Sequence, residues 1–141
     1  MSRGFALSGL QRLRGLQETK AAGDLAAANH GLRQRTLERN AMRDAMAAPE
    51  RAPVDSETLM ALVASRASTR GMLLELDTLV STLDGQAEDA RETHRQARQE
   101  LKALEKLAHR HDVKVRTEAL SREQLLLDDL GATNAFEGNS P

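Results

Sequence analysis

The sequence predicts an all-α protein: a long antiparallel two-helix coiled-coil hairpin whose second helix overhangs the first and ends in a disordered tail. Three observations predict it. From Asp55 to Leu130 there is no proline. Through that stretch apolar residues recur on a seven-residue beat: Leu73, Leu76, Val80, Leu83, Ala87, Ala90, then His94, Ala97, Leu101, Leu104 and Ala108. The steps alternate three and four, as a coiled-coil seam requires. Finally, Phe5 and Phe136 are the only aromatic residues, so aliphatic seams rather than a globular core must carry the burial.

The first helix is expected over residues 5–47. Leu7, Leu10, Leu13 and Leu16 open it, and an alanine-rich zone follows at Ala21, Ala22 and Ala26 to Ala28. Placing Leu10 and Leu25 on one face takes steps of four, four, three and four, which reads as a stutter in the supercoil. Gly9, Gly15, Gly23 and Gly31 each weaken this helix by up to ~1 kcal/mol relative to alanine, so it leans on its partner.

A turn is expected over residues 48–54, because Pro49 and Pro53 forbid a continuous helix. Asp55 or Ser56 can cap the second helix, with Glu57 adding negative charge to its first turn. A turn this short makes the two helices antiparallel neighbours. With Ala47 beside Asp55, facing residue numbers add up to about 102. Leu10, Leu13 and Leu16 then face Ala87, Ala90 and His94, while Ala22 to Ala28 face Leu73 to Leu83. Charge agrees with pairing, since residues 1–47 carry a net +4 and residues 48–97 a net −4.

The second helix is expected over residues 55–130, so that residues 1–130 form one hairpin domain. In the expected register the first helix is exhausted near Ala97, leaving about thirty-three residues, or ~50 Å, of unpaired helix. Leu101, Leu104, Leu107, Val113, Val115, Leu120, Leu125 to Leu127 and Leu130 lie on it, too many apolar groups for water, so it folds back or another protein covers it. The segment His109 to Val115 is its weakest helix former and the expected place to bend. Gly131 is expected to stop the helix, with residues 131–141 a disordered tail.

The residues exclude more than they specify. A net charge of −1 offers no general pull on nucleic acid, and the chain has no cysteine. No apolar run approaches the length of a membrane span, which predicts a cytoplasmic location. No catalytic constellation is visible, and neither cofactor nor metal is expected: His109 and His111 fall roughly 200° apart round a helix and cannot grip one ion. His94 reads as a polar register marker in the seam. Met42, Met46, Met60 and Met72 read as gap fillers near the hairpin tip, and Arg3, Arg12 and Arg14 as a solvated face.

The opening run of Phe5, Leu7, Leu10, Leu13 and Arg14, the alanine-rich stretch after it and two segments near the far end resemble the flagellar FliJ export proteins. Phe5, Leu7, Leu10, Leu13, Arg14, Glu18 and Ala21 to Ala28 are similar to that family's opening Phe-x-Leu-x-x-Leu-x-x-Leu-Arg run and alanine-rich helix. Leu104, Glu105, Lys106, Leu107 and Arg110 resemble its Glu-Lys-Leu segment. Arg122, Glu123, Gln124, Asp128, Asp129 and Leu130 resemble its Arg-Glu-Gln-x-x-Leu-Asp-Glu segment, with Asp129 where Glu is usual.

The resemblance implies a soluble, non-enzymatic component of the type III flagellar export apparatus, cytoplasmic and associated with the inner-membrane apparatus through its partners. It implies a stalk-like coiled coil that enters the hexameric export ATPase ring and contacts the cytoplasmic domain of the export gate, with a chaperone or escort role among other export chaperones. Its implied ATPase-facing residues are Phe5, Leu7, Leu10, Arg14, Leu101, Leu104, Leu107, Arg110, Glu123, Leu126 and Leu130. The early second helix has no aromatic gate-binding patch, so the candidates there are Leu62, Thr69, Met72 and Leu76. The alternatives are a structural coiled-coil scaffold that dimerises through the overhang, and a stalk subunit of another secretion or rotary ATPase system.

Overall fold

The computed structural model describes residues 3–49, 52–53 and 55–138, with side chains from residue 6 onward. Two helices account for nearly all of it: α1, Arg3–Ala47, and α2, Ser56–Gly138. They pack antiparallel as a helical hairpin, and the described residues include no strand. Of the expected turn, Glu50, Arg51 and Val54 lie outside the described residues.

Local chemistry explains the helix limits. Ala48 still donates its amide to the Asp44 carbonyl at 3.1 Å, and Pro49 then removes the next donor. Of the two candidate caps, Asp55 is the one used: its carboxylate Oδ1 accepts the Thr58 amide at 2.7 Å, and its carbonyl takes the amide of Leu59. The Thr58 hydroxyl and then the Thr58 amide hold the Asp55 pKa below its ordinary value of 3.8. A depressed carboxylate stabilises above its unfolded pKa and loses that contribution as pH falls through the folded one. Acidification below about pH 4 should therefore fray the first turn of α2, read as faster exchange of the Thr58 amide; in Asp55→Ala that exchange should be fast already at neutral pH.

Contacts divide the chain into two compact units, Met1–Leu16 with Arg98–Pro141, and Gln17–Ala97. In the second unit, the α2 seam lies where the seven-residue beat predicts. Val80 and Ala87 are buried, and Leu73, Leu76, Leu83, Ala90, His94 and Ala97 are half-buried. The α1 side is Glu18, Ala21, Leu25, Ala28 and Leu32, then Arg39, Met42 and Met46. In the first unit, Leu7, Gln11 and Arg14 are half-buried on α1, as are Leu101, Ala108 and His111 on α2, with Leu104 buried.

Several expectations about α1 are overturned. Leu10, Leu13 and Leu16 are exposed at 41%, 49% and 64%, so they are not its seam. The seam steps from Leu7 to Leu32 alternate four and three without the expected stutter, because half-buried Gln11, Arg14 and Glu18 hold seam positions, the last two with their polar ends turned to α2. Arg14 Nη1 binds Glu100 Oε2 at 2.8 Å, and His94 Nε2 lies 2.9 Å from Glu18 Oε1. His94 is thus the polar seam marker that its position predicts.

The register also differs. Paired residue numbers add up to 112 for Glu18 with His94, 114 for Arg14 with Glu100 and 116 for Arg39 with Asp77, not 102. In the second unit this sets the end of α1 level with Ser65 to Thr69 rather than Asp55, and a shallow pocket between Ala45, Met46, Ser65, Arg66 and Thr69 marks the place. The first turns of α2 therefore stand clear of α1 instead of lying beside its end, as a tight turn would place them. Met42 and Met46 fill gaps as expected, but Met60 and Met72 face out, at 74% and 52% exposure.

The charge bias is used across the helices: α1 supplies Arg14, Arg39 and Arg43, and α2 supplies Glu100 and Asp77. Arg43 Nη2 binds Asp77 Oδ1 at 2.9 Å. Arg39 serves less well. Its Nε is buried with no hydrogen-bond partner, 3.7 Å from the same Asp77 oxygen. A guanidinium with 23% of its side chain exposed and an unmade hydrogen bond costs more than an aliphatic group of similar reach. Arg39→Leu should raise stability by about 1 kcal/mol, measured by urea unfolding, since Asp77 keeps Arg43.

Candidate interaction surface

In the first unit, α1 covers α2 as far as His111; every described residue from 112 to 138 is exposed. The unpaired stretch of twenty-seven residues is ~40 Å long, and it starts fourteen residues later than expected. It is helical throughout. His109 to Val115 neither breaks nor bends out of helix, and α2 passes Gly131 to Gly138, past the expected end at Leu130. No glycine among the described residues has a positive φ, so Gly131 is not a helix stop. Residues 139–141 of the expected tail lie outside the described residues.

This stretch carries Val113, Val115, Leu120, Leu125, Leu126, Leu127, Leu130 and Phe136, all exposed. Their spacing has an order of its own: Val113, Arg116, Leu120, Glu123, Leu127 and Leu130 follow in steps of three and four. That stripe does not continue the α1-facing seam, whose next positions after His111 are Val115, Glu118, Arg122 and Leu125. At ~100° per residue the stripe lies roughly 150° round the helix from the seam. The charged residues Glu118 and Arg122 end the old seam just where the new stripe begins. Leucine-rich segments this exposed, without a covering helix, mark a surface made for contact.

A second apolar patch lies in the second unit, on the turns of α2 that α1 does not reach. Leu59, Met60 and Val63 are exposed there, and Leu62 is half-buried. The expected site set omits Leu59, Met60 and Val63; their signal in the sequence is the apolar run Leu-Met-Ala-Leu-Val, which a tight turn would set against α1.

The residues implied by the resemblance fall into two kinds. Leu10, Leu107, Arg110, Glu123, Leu126 and Leu130 are exposed; Leu7, Arg14 and Leu101 are half-buried, and Leu104 is buried, all in the α1–α2 seam. The Phe5 side chain lies outside the described residues. Of the gate candidates, Met72 is exposed and Leu62 and Leu76 are half-buried. Thr69 is half-buried too, and its hydroxyl donates to the Ser65 carbonyl at 2.9 Å.

The surface has open grooves along helix faces, such as that between Lys102, Glu105, Lys106, His109 and Arg110. Among the described residues no three His, Asp or Glu approach closely enough to hold a metal ion, and no helix is long and apolar enough to cross a membrane.

A family model described as Flagellar FliJ protein matches residues 2–140. The chain belongs to the FliJ family. Neither curated proteins nor solved structures give a match to it. Membership makes it a component of flagellar protein export, working with the export apparatus in motility, and the FliJ family is a non-catalytic part of that apparatus.

Proposed function

We propose that this FliJ-family chain is the coiled-coil stalk of the export apparatus, and that the unit formed by the start of α1 and the end of α2 enters the hexameric export ATPase ring. The observation that carries this reading is the ~40 Å helical end of α2, rich in leucine and covered by no other described part of the chain. A ring lumen lined by several subunits can cover such an end on all sides, which suits apolar residues spread round the helix. Leu10, Leu107, Arg110, Glu123, Leu126 and Leu130 would make the contacts, with Phe5 beside them. Leu7, Arg14, Leu101 and Leu104 would hold the two helices together beneath.

The same reading gives the cytoplasmic domain of the export gate to the early part of α2, through exposed Met72 with half-buried Leu62, Thr69 and Leu76. The chain would sit in the cytoplasm, peripheral to the inner membrane through these partners, and would bias assembly or the nucleotide cycle of the ATPase, or escort export chaperones. Nucleic acid is a poor partner for a chain of net charge −1.

Truncation after His111 tests the ATPase contact, because every described residue that it removes is one that α1 leaves uncovered. The shortened chain should melt within a few degrees of the full chain, yet no longer co-elute with the ATPase hexamer. Undiminished co-elution would remove the α2 end from the contact.

A further inference from the structure

We propose that the free end of α2 also pairs with the same segment of a second copy of this chain, antiparallel, about a two-fold axis near Leu120. The proposal rests on the geometry of residues 110–130 and stands apart from the export reading. The stripe of Val113, Arg116, Leu120, Glu123, Leu127 and Leu130 has the three-and-four spacing of a coiled-coil seam, long enough for more than two heptads. It lies on the side of α2 turned away from the α1-facing seam. A second helix can therefore lie along it, even beside the first residues that α1 covers, without meeting α1.

Charge selects the occupant and its direction. Residues 109–116 hold Arg110, Lys114 and Arg116 against Asp112, a net +2; residues 118–130 hold Glu118, Glu123, Asp128 and Asp129 against Arg122, a net −3. A parallel pair would set like charge on like. An antiparallel pair sets the basic stretch of each copy on the acidic stretch of the other, and a two-fold axis makes the surface its own complement.

In that arrangement facing residue numbers add up to about 240. Val113 then meets Leu127 of the second copy, and Leu120 meets Leu120. Arg116 and Glu123 bracket Leu120, four residues before it and three after, so each copy's arginine comes level with the other's glutamate. Neither has a polar partner among the described residues of its own chain, and both are exposed. Arg110 and Lys114 come near the level of Asp128 and Glu118 comes level with Arg122, set against like-charge approaches of Asp112 to Asp128 and Asp129, Arg116 to Arg122, and Glu118 to Glu123. An ATPase ring and a second copy would use the same leucines, so the two contacts exclude each other: self-pairing keeps the apolar end covered until the apparatus takes it.

The full-length chain tests this without any partner. Sedimentation equilibrium over a concentration series should show a reversible monomer–dimer equilibrium. Arg116→Glu should weaken it about tenfold, because two ion pairs per dimer become two repulsions. Adding Glu123→Arg to that variant should restore the dimer, which lost helix stability alone would not do. As the chain has no cysteine, Leu120→Cys should oxidise to a disulfide-linked dimer, while Leu130→Cys, ~30 Å from its counterpart, should stay monomeric. A monomer at every concentration, a double variant as weak as the single one, or Leu130→Cys linking as readily as Leu120→Cys would overturn the proposal. Each readout is independent of ATPase binding, so either idea can fail alone.

Discussion

Ala87→Asp should cost about 3 kcal/mol or more and lower the midpoint of thermal unfolding well below that of the parent chain. Ala87 is 1% exposed, the most completely covered side chain among the described residues, and in the observed register it lies level with Leu25 to Asn29 of α1. A methyl group suits the layer because it lets the two backbones come close. A carboxylate there has no cation among its seam neighbours, and a two-helix layer has no second shell in which to bury the charge. Ala87→Leu should cost less, about 1–3 kcal/mol, since the helices can part to admit it. Asp84→Ala, one turn earlier and exposed, should change stability by less than about 0.5 kcal/mol. Circular dichroism against temperature reads all three. If Ala87→Asp melted with the parent, the seam would not close there.

How much of this was legible beforehand differs between the helices. On α2 the seam from Leu73 to Ala108 could be read position by position, because its residues are apolar apart from His94 and the beat never slips. On α1 it could not. Seam positions there go to Gln11, Arg14, Glu18 and Arg39, while leucines at 10, 13 and 16 point outward, so a count of apolar residues follows the wrong face. Only the partners reveal the error: Glu18 belongs opposite His94 and Arg14 opposite Glu100, and both pairings need a register about twelve residues from the one a tight turn would give.

That shift moved the site as well. It transferred Leu101 and Leu104 from the expected overhang into the packed part of the hairpin, and freed Leu59, Met60 and Val63 at the start of α2. The existence of an uncovered apolar end survived, since α2 is so much longer than α1 that no register could pair all of it. The direction of the final stripe was also written in the spacing of Val113, Leu120 and Leu127. It stays hidden while the segment is treated as more of the same seam.

Leu104→Ala should destabilise the chain by about 2–3 kcal/mol, whereas Leu107→Ala, one turn along, should cost about 0.5 kcal/mol or less. Leu104 is 8% exposed and level with the stretch around Gln11; Leu107 is 56% exposed. Truncating the first leaves a void between helices that cannot collapse freely, because Leu101 and Ala108 on either side keep them apart. Truncating the second removes a group that water already reached. Both leucines fall in the segment that resembles the FliJ family's Glu-Lys-Leu motif, so the pair separates two ways in which that motif could act. Under the proposed function, Leu107→Ala should weaken co-elution with the export ATPase at an unchanged melting temperature, while Leu104→Ala should weaken it only as far as the hairpin itself melts. Were Leu104→Ala to keep its melting temperature and still lose the ATPase, Leu104 would be a contact residue, and α1 would not cover α2 at that level.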